Sequence, residues 1–187
     1  MGNFWNDKNV EPKRSFRWVL RMPGDNNSRQ IPAWIVKTVK KPSFTVSETT
    51  TQFVAHTFYY PGRITWDPVE ITVIDPVTPD ASARLVDILS ASGYTLPTTE
   101  ESAQRSFSRK DTIEALSKVE IVQIDASGMD IDKWTLWNAW VTTVDFGSLD
   151  YASEEMINLS FTLRYDYAEF AFGPDASNKI LYGGNAS

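Results

Sequence analysis

The single histidine of the chain is the first residue to consider for chemistry. His56 stands in residues 54–58, a stretch whose composition is ordinary for a β-strand. A hydrolase triad would need this histidine beside a serine and a carboxylate. The Gly-x-Ser-x-Gly turn that presents such a serine is absent from the sequence, and the lack of cysteine removes a cysteine nucleophile and thiolate metal ligands. The sequence therefore predicts that the protein is not an enzyme, and His56 is interpreted as a strand or interface residue.

Acidic residues supply two weaker candidates for a site. Residues 125–132 faintly resemble a calcium-binding loop, but Leu136 stands where the closing glutamate belongs. Glu154 and Glu155 would have to act as a pair in a glycosidase, yet neighbouring residues on a strand point to opposite faces. A turn and a loop with solvated carboxylates explain both patterns more simply. With no glycine-rich phosphate loop either, we expect no metal and no cofactor.

Three tryptophans follow one another at intervals of three residues: Trp134, Trp137 and Trp140. Exposed tryptophans can stack on sugars, but a core or a subunit contact is the commoner fate of this side chain. If residues 133–141 formed one strand, Trp134 and Trp140 would share a face and Trp137 would oppose them. We therefore predict that these residues are candidates for a subunit interface, and a sugar-binding platform is the alternative.

Composition limits the remaining classes of function. The chain has 187 residues, which is the size of one domain, and 42% of them are apolar, enough for a substantial core. The formal charge of −6 and the absence of a strongly basic patch argue against tight binding of phosphate groups. No apolar run approaches the length of a membrane span, and the N-terminus lacks the pattern of a signal peptide. No membrane partner is expected.

The elements that hold these residues are mostly strands. Residues 157–165 alternate between apolar and polar types, as in a strand with one buried face. Similar patterns predict further strands over residues 16–22, 33–40, 69–74, 118–125, 133–138 and 141–146. Eight or nine strands and one helix indicate a mainly β protein, a β-sandwich or barrel with one flanking α-helix.

One helix is predicted over residues 79–92. Thr78 is a suitable N-cap and Pro79 a suitable first helical residue. Leu85, Ile88 and Leu89 give the segment an apolar stripe. The helix lies within a single β domain, which we place at residues 16–172. An N-terminal arm (1–15) precedes this domain and a C-terminal tail (173–187) follows it.

A long hairpin is predicted over about residues 43–60. Residues 48–52 are polar and β-prone with nothing to bury, so they are interpreted as its tip. Residues 53–60 would form the returning strand, and Pro61-Gly62 would turn the chain into the next strand. Such a hairpin would add few buried contacts to a single subunit, and its unpaired edges call for a partner molecule.

The order of these segments resembles the tail tube protein family of contractile-tailed, T-even-type bacteriophages. The similar segments are Ile35-Val36-Lys37-Thr38-Val39-x-x-Pro42 and Pro61-Gly62-Arg63-x-x-Trp66-x-Pro68-Val69-x-Ile71-Thr72-Val73. Residues 134–140 are similar to a short Leu-Trp-Pro segment of that family, although Asn138 and Ala139 replace its proline. Residues 157–167, which end in Arg-Tyr-Asp-Tyr, resemble its closing strand. The resemblance covers most of residues 16–167.

The resemblance implies a structural virion protein that self-assembles into hexameric rings with a continuous inner β-barrel. The rings would stack into the inner tube of the tail, and DNA would pass through a neutral or acidic lumen without specific binding. Tail sheath, baseplate and terminator proteins are the implied partners, and the protein would be made in the host bacterial cytoplasm. The residues implied at the contact between stacked rings are Glu48, Thr49, Thr50, Thr51, Gln52 and Phe53.

Two alternatives remain open at the level of sequence. The chain could be the tube protein of a related contractile injection or type VI secretion system, or a baseplate or terminator ring. An alternative of another class is a monomeric carbohydrate-binding β-sandwich that uses its tryptophans. Self-assembly separates the first group from the last.

Overall fold

The computed structural model describes residues 12–22, 31–104 and 106–172 of the chain. Within them lie ten strands and three α-helices, and a short 3-10 turn at Ala33–Ile35 precedes the second strand. The strands are β1 Trp18–Arg21, β2 Val36–Val39, β3 Phe44–Phe53, β4 His56–Trp66, β5 Val69–Ile74, β6 Lys118–Ile124, β7 Asp130–Trp137, β8 Trp140–Asp145, β9 Asn158–Arg164 and β10 Tyr167–Phe172. The helices are α1 Ala81–Ala91, α2 Glu100–Ala103 and α3 Arg109–Leu116.

Two open antiparallel sheets enclose the core. Sheet I has the order β1-β6-β7-β10, and sheet II has the order β2-β5-β9-β8. The alternation predicted for the last long strand holds, because Leu159, Phe161 and Leu163 of β9 are buried while the residues between them are half-buried. Apolar residues of both sheets and of α1 belong to one hydrophobic cluster. The predicted mainly β fold with a flanking helix is therefore confirmed.

Helix α1 begins later than its sequence predicts. Asp80 is the N-cap, and its carboxylate accepts a hydrogen bond from the backbone N–H of Ala83 at 2.9 Å. The carboxylate of Asp75 accepts from Ala81 N–H at 2.9 Å and so occupies a second free donor of the first turn. The assignment of Thr78 as N-cap, with Pro79 inside the helix, is wrong because two carboxylates satisfy the first turn better than a threonine hydroxyl.

Several other boundaries differ from the sequence prediction. The strand predicted over residues 33–40 is shortened to β2, because the 3-10 turn takes up residues 33–35. The last predicted strand ends at Arg164, and the chain then turns and adds β10 to the edge of sheet I beside β7. Most of the predicted N-terminal arm and all of the predicted C-terminal tail lie outside the described residues.

Candidate functional site

The hairpin formed by β3 and β4 stands apart from both sheets. Within the described residues these two strands pair only with each other, from Phe44 opposite Trp66 to Phe53 opposite His56. Every residue of β3 and every residue of β4 except Trp66 is exposed. A two-stranded hairpin alone is only marginally stable in water, so this projection has the properties of a surface that another molecule covers.

Large apolar side chains occupy both faces of the hairpin. Because paired residues share a face, Phe44, Val46, Tyr59, Ile64 and Trp66 lie on one side. Phe53, His56, Phe58 and Tyr60 lie on the other side, towards the tip. The side chain of Phe53 is 70% exposed, that of Tyr59 65% and that of Ile64 60%. Clustered exposure of this kind marks an interaction surface in a protein that is otherwise well packed.

A bulge separates the root of the hairpin from its outer part. The register shifts between Val46 and Glu48, where Gly62 and Arg63 together oppose Ser47. The Ser47 hydroxyl accepts a hydrogen bond from Arg63 N–H at 2.8 Å. A Cβ on Gly62 would lie 2.3 Å from Ser47 Oγ and 2.9 Å from Ser47 O. Only glycine fits this crossing without displacing the opposite strand.

The root of the hairpin continues the β2–β5 pair of sheet II. Lys40 N–H donates to the carbonyl of Glu70 at 3.0 Å, and Asp67 N–H donates to the carbonyl of Ser43 at 2.9 Å. The Ser43 hydroxyl also donates to the Asp67 carboxylate at 2.9 Å. These bonds join hairpin and sheet into one ribbon, so the position of the hairpin is set by the core and not by the tip.

The structure corrects the predicted outline of this hairpin. Residues 48–52 lie within β3 and do not form the tip, which is the turn at Val54 and Ala55. Val54 has a φ of 52°, the left-handed conformation that such a tight turn requires. Pro61 and Gly62 lie inside β4, which runs on to Trp66, because the bulge absorbs both residues without ending the strand. That residues 48–53 contact a stacked ring stays a prediction.

The three tryptophans do not form a common platform. Trp134 on β7 packs against Phe170 with ring centroids 4.8 Å apart, and Trp137 on the same strand stacks near Tyr167 at 6.3 Å. Asn138, at φ 55°, then turns the chain from sheet I into sheet II, where Trp140 begins β8. The premise of one strand over residues 133–141 is therefore wrong. The corner lies at the break between the strands that the sequence predicts over residues 133–138 and 141–146.

The carboxylates of residues 125–132 are occupied by structural contacts. Asp125 closes its own turn by accepting from the backbone N–H groups of Ser127 at 2.7 Å and Met129 at 2.8 Å. Asp130 pairs with Arg21 at 2.9 Å, and the buried Asp132 pairs with Lys13. In the part of the chain that the structure describes, no group of three or more histidine, cysteine or acidic residues is arranged to hold a metal ion.

Tyr165 lies at the root of the hairpin, on the core side. Its ring is 5.9 Å from that of Trp66, and its buried hydroxyl has no hydrogen-bond partner among the described residues. Burial, reinforced by the negative charge of Asp67, raises the pKa of the Tyr165 phenol to about 12. This group is a packed anchor for the hairpin and not an acid or base for a reaction.

None of the helices in the described residues is long and apolar enough to cross a membrane.

Comparison with solved structures identifies the architecture. The tube-terminating cap of the anti-feeding prophage superimposes with a TM-score of 0.64 and 15% identity, over 92% of this chain and all of that one. The sheath/tube terminator of the extracellular contractile injection system PVC gives 0.62 and 15%, over 87% of this chain and 98% of that one. A chain of the PVC sheath–tube complex gives 0.59 and 18%, over 87% and 93%.

The fold is thus the one found in tube and terminator proteins of contractile injection systems. The resemblance to tail tube proteins is confirmed at this level. No protein-family model and no curated protein matches the sequence.

Proposed function

We propose that the protein is a structural subunit of a contractile injection machine and that copies of it assemble into stacked hexameric rings, the inner tube. The observation that carries this proposal is the solvent-exposed hairpin, with large apolar side chains on both of its faces, on a tube-protein fold. A hairpin with uncovered apolar groups on both faces requires a partner. A second copy of the chain can be this partner, so no other protein is required.

Ring closure uses the open edges of sheet II. Its edge strands are β2 and β8, and both are antiparallel to their inner neighbours. Unpaired edges invite pairing with another chain, and a head-to-tail contact closes into a ring when the rotation between copies fits. Six copies joined in this way would make sheet II one continuous barrel.

The face of sheet II that points away from the core supplies the bore. Its central side chains are short and hydroxylated: Thr38, Thr72, Thr143, Ser160 and Thr162. Four charged residues accompany them, and their charges cancel: Lys37 and Arg164 against Glu70 and Asp145. A wetted surface with little net charge attracts no polyanion, so phage DNA would slide through it.

A terminator or baseplate ring is the second candidate. It is favoured by the neighbours, which include a tube-terminating cap, a sheath/tube terminator and a chain of an anti-feeding prophage baseplate. A terminator forms rings of the same kind but stacks on one side only. Tube length in the absence of other proteins distinguishes the two roles.

Shortening the hairpin tests the role in stacking. Residues 49–60 are replaced by Asn-Gly, which joins Glu48 to Pro61, the pair that faces each other across the ladder. We expect negative-stain microscopy to show long tubes for the unaltered protein and single rings for the shortened one. Leu96→Ala, an exposed position on the connection after α1, is the matched control and should leave tube length unchanged.

Three results would contradict the proposal. Unaltered tube growth by the shortened protein would exclude the hairpin from stacking. A strictly monomeric, unaltered protein at high concentration would exclude the tube itself. A shift of tryptophan fluorescence with sugars, in such a monomer, would favour the carbohydrate-binding alternative.

A further inference from the structure

The loop between β8 and β9 is a second exposed apolar surface. Residues 146–157 form it, and most of its large side chains face solvent: Leu149 is 85% exposed, Met156 71% and Tyr151 fully exposed. Val77, two residues after Asp75, is 97% exposed, and Asp75 N–H donates to the carbonyl of Ile157 at 3.0 Å. Residues of the loop line an open depression of about 690 Å³.

The loop has a defined shape despite its exposure. Gly147, at φ 81°, accepts no Cβ, because one would lie 2.7 Å from the carbonyl oxygen of Asn158. Its N–H donates to the Asp145 carboxylate at 2.9 Å, and Ala152 N–H donates to the Asp150 carboxylate at 3.0 Å. A loop built by such specific turns presents its apolar groups in a fixed arrangement, as a docking surface does.

The loop and the hairpin lie at opposite ends of sheet II. In the β5–β9 pair, Ile74 faces Asn158, next to the loop, and Val69 faces Leu163, next to the root of the hairpin. The strands of sheet II have four to seven residues and span roughly 15–25 Å. The hairpin strands have ten and eleven residues and project roughly 35 Å further. The tip therefore reaches well beyond the sheet that carries it, away from its own loop.

The two ends also differ in charge. The loop, residues 146–157, contains three carboxylates and no lysine or arginine: Asp150, Glu154 and Glu155. None of these carboxylates forms an ion pair with a cation of the described residues. The hairpin with its root, residues 40–67, contains Lys40, Lys41 and Arg63 against Glu48 and Asp67. The loop thus carries a charge of −3 and the hairpin with its root +1, so contact between unlike ends is attractive and contact between like ends is not.

We propose that the β8–β9 loop is the surface on which the hairpin of a stacked copy docks. This inference rests on the proposed tube and adds the receiving partner in the next ring. Apolar residues around Tyr151 would cover the hairpin tip around Phe53 and Phe58. Of the cations counted above, Arg63 at the bulge lies nearest to that tip and therefore to the carboxylates of the loop. The contact joins two different surfaces, so it does not close on itself and continues along the axis of the tube.

Crosslinking tests this contact directly, because the natural chain has no cysteine to interfere. One variant carries Phe53→Cys, a second carries Tyr151→Cys, and the two are mixed before assembly and treated with a short bis-maleimide. We expect crosslinked dimers in the mixture, few in either variant alone, and a ladder of higher multimers when one chain carries both substitutions. A mixture of Phe53→Cys with Leu96→Cys is the matched control and should give no specific dimers.

The outcomes separate the inference from the proposed function. Tubes that form normally and yield no Phe53→Cys–Tyr151→Cys dimers would overturn the docking surface and leave the tube intact. Dimers confined to isolated single rings would overturn it as well, because the contact would then lie between neighbours within a ring. If the unaltered protein forms no tubes, the proposed function itself fails, and microscopy of the same samples shows this independently.

Discussion

At the scale of single residues, Tyr165 shows how the hairpin is held at its root. The residue is buried beside Trp66, and its hydroxyl has no hydrogen-bond partner in the part of the chain that the structure describes. Its pKa is raised to about 12 because the folded protein disfavours the charged phenolate. The unfolded chain releases this proton near pH 10. The contribution of Tyr165 to stability is therefore complete below pH 10 and is lost as the pH rises from about 10 to about 12.

Replacing Tyr165 by phenylalanine should remove that part of the pH dependence. We expect the free energy of unfolding of Tyr165→Phe at pH 7 to be unchanged or higher by about 1 kcal/mol, since the variant no longer buries an unpaired hydroxyl. Between pH 10 and 12 it should fall less steeply than that of the natural protein. Urea unfolding across this pH range, followed by circular dichroism, measures both effects. Tyr167→Phe, at an exposed position, is the control, and parallel pH curves for all three proteins would contradict the assignment.

At the scale of elements, the sequence predicted those whose burial is periodic. Strand β9 alternates strictly, and α1 carries an apolar stripe, so both were found to within a few residues. The hairpin was predicted too short because its strands face solvent on both sides, and no alternation marks where they end. Strand β10 was missed because it follows β9 after a break of only two residues.

The candidate site was less predictable than the fold for the same reason. The exposure of Phe53, Phe58 and Tyr60 is the feature that singles out the hairpin, yet in sequence these residues look like any strand core. The β8–β9 loop was predicted only as a loop with an acidic pair. Its significance comes from its place opposite the hairpin, which depends on the pairing of β5 with β9. Such relations arise from topology and leave no local pattern.

The bulge at Gly62 offers a test at this scale. Gly62→Ala places a methyl group against the backbone of Ser47, so the ladder must shift and the outer half of the hairpin must change its direction. We expect the fold to remain, with unfolding within about 1–2 kcal/mol of the natural protein, while tubes become rarer or shorter by microscopy. Thr45→Ala, on the same hairpin below the bulge, should assemble normally. Normal tubes from Gly62→Ala would show that the direction of the tip does not matter.

At the scale of the whole molecule, the dominant feature is polarity. Sheet II carries a projection with exposed apolar side chains at one end and an apolar, acidic loop at the other, and its outer face is hydroxylated and nearly neutral. A molecule with two unlike ends is suited to repetition along one direction.

This polarity predicts how assembly responds to salt. Raising the ionic strength from about 0.1 M to about 1 M shortens the screening length from about 10 Å to about 3 Å, which weakens the attraction between the acidic loop of one copy and the hairpin of the next. Tubes should therefore shorten in high salt, as measured by microscopy and sedimentation. The double variant Glu154→Gln, Glu155→Gln should respond less. Tubes that lengthen with salt in both proteins would show that apolar contact alone governs stacking.

One detail of the ribbon bears on how such a tube would bend. Pro42 and Pro68 lie at the same level of the two strands, between the sheet and the hairpin, and neither has an N–H to donate. The ladder is thinned there, and the bonds from Lys40 to Glu70 and from Asp67 to Ser43 bracket the gap. Bending would concentrate at this joint between sheet and hairpin in every subunit. A tube of rigid rings could then curve under load while the contacts between its rings stay intact.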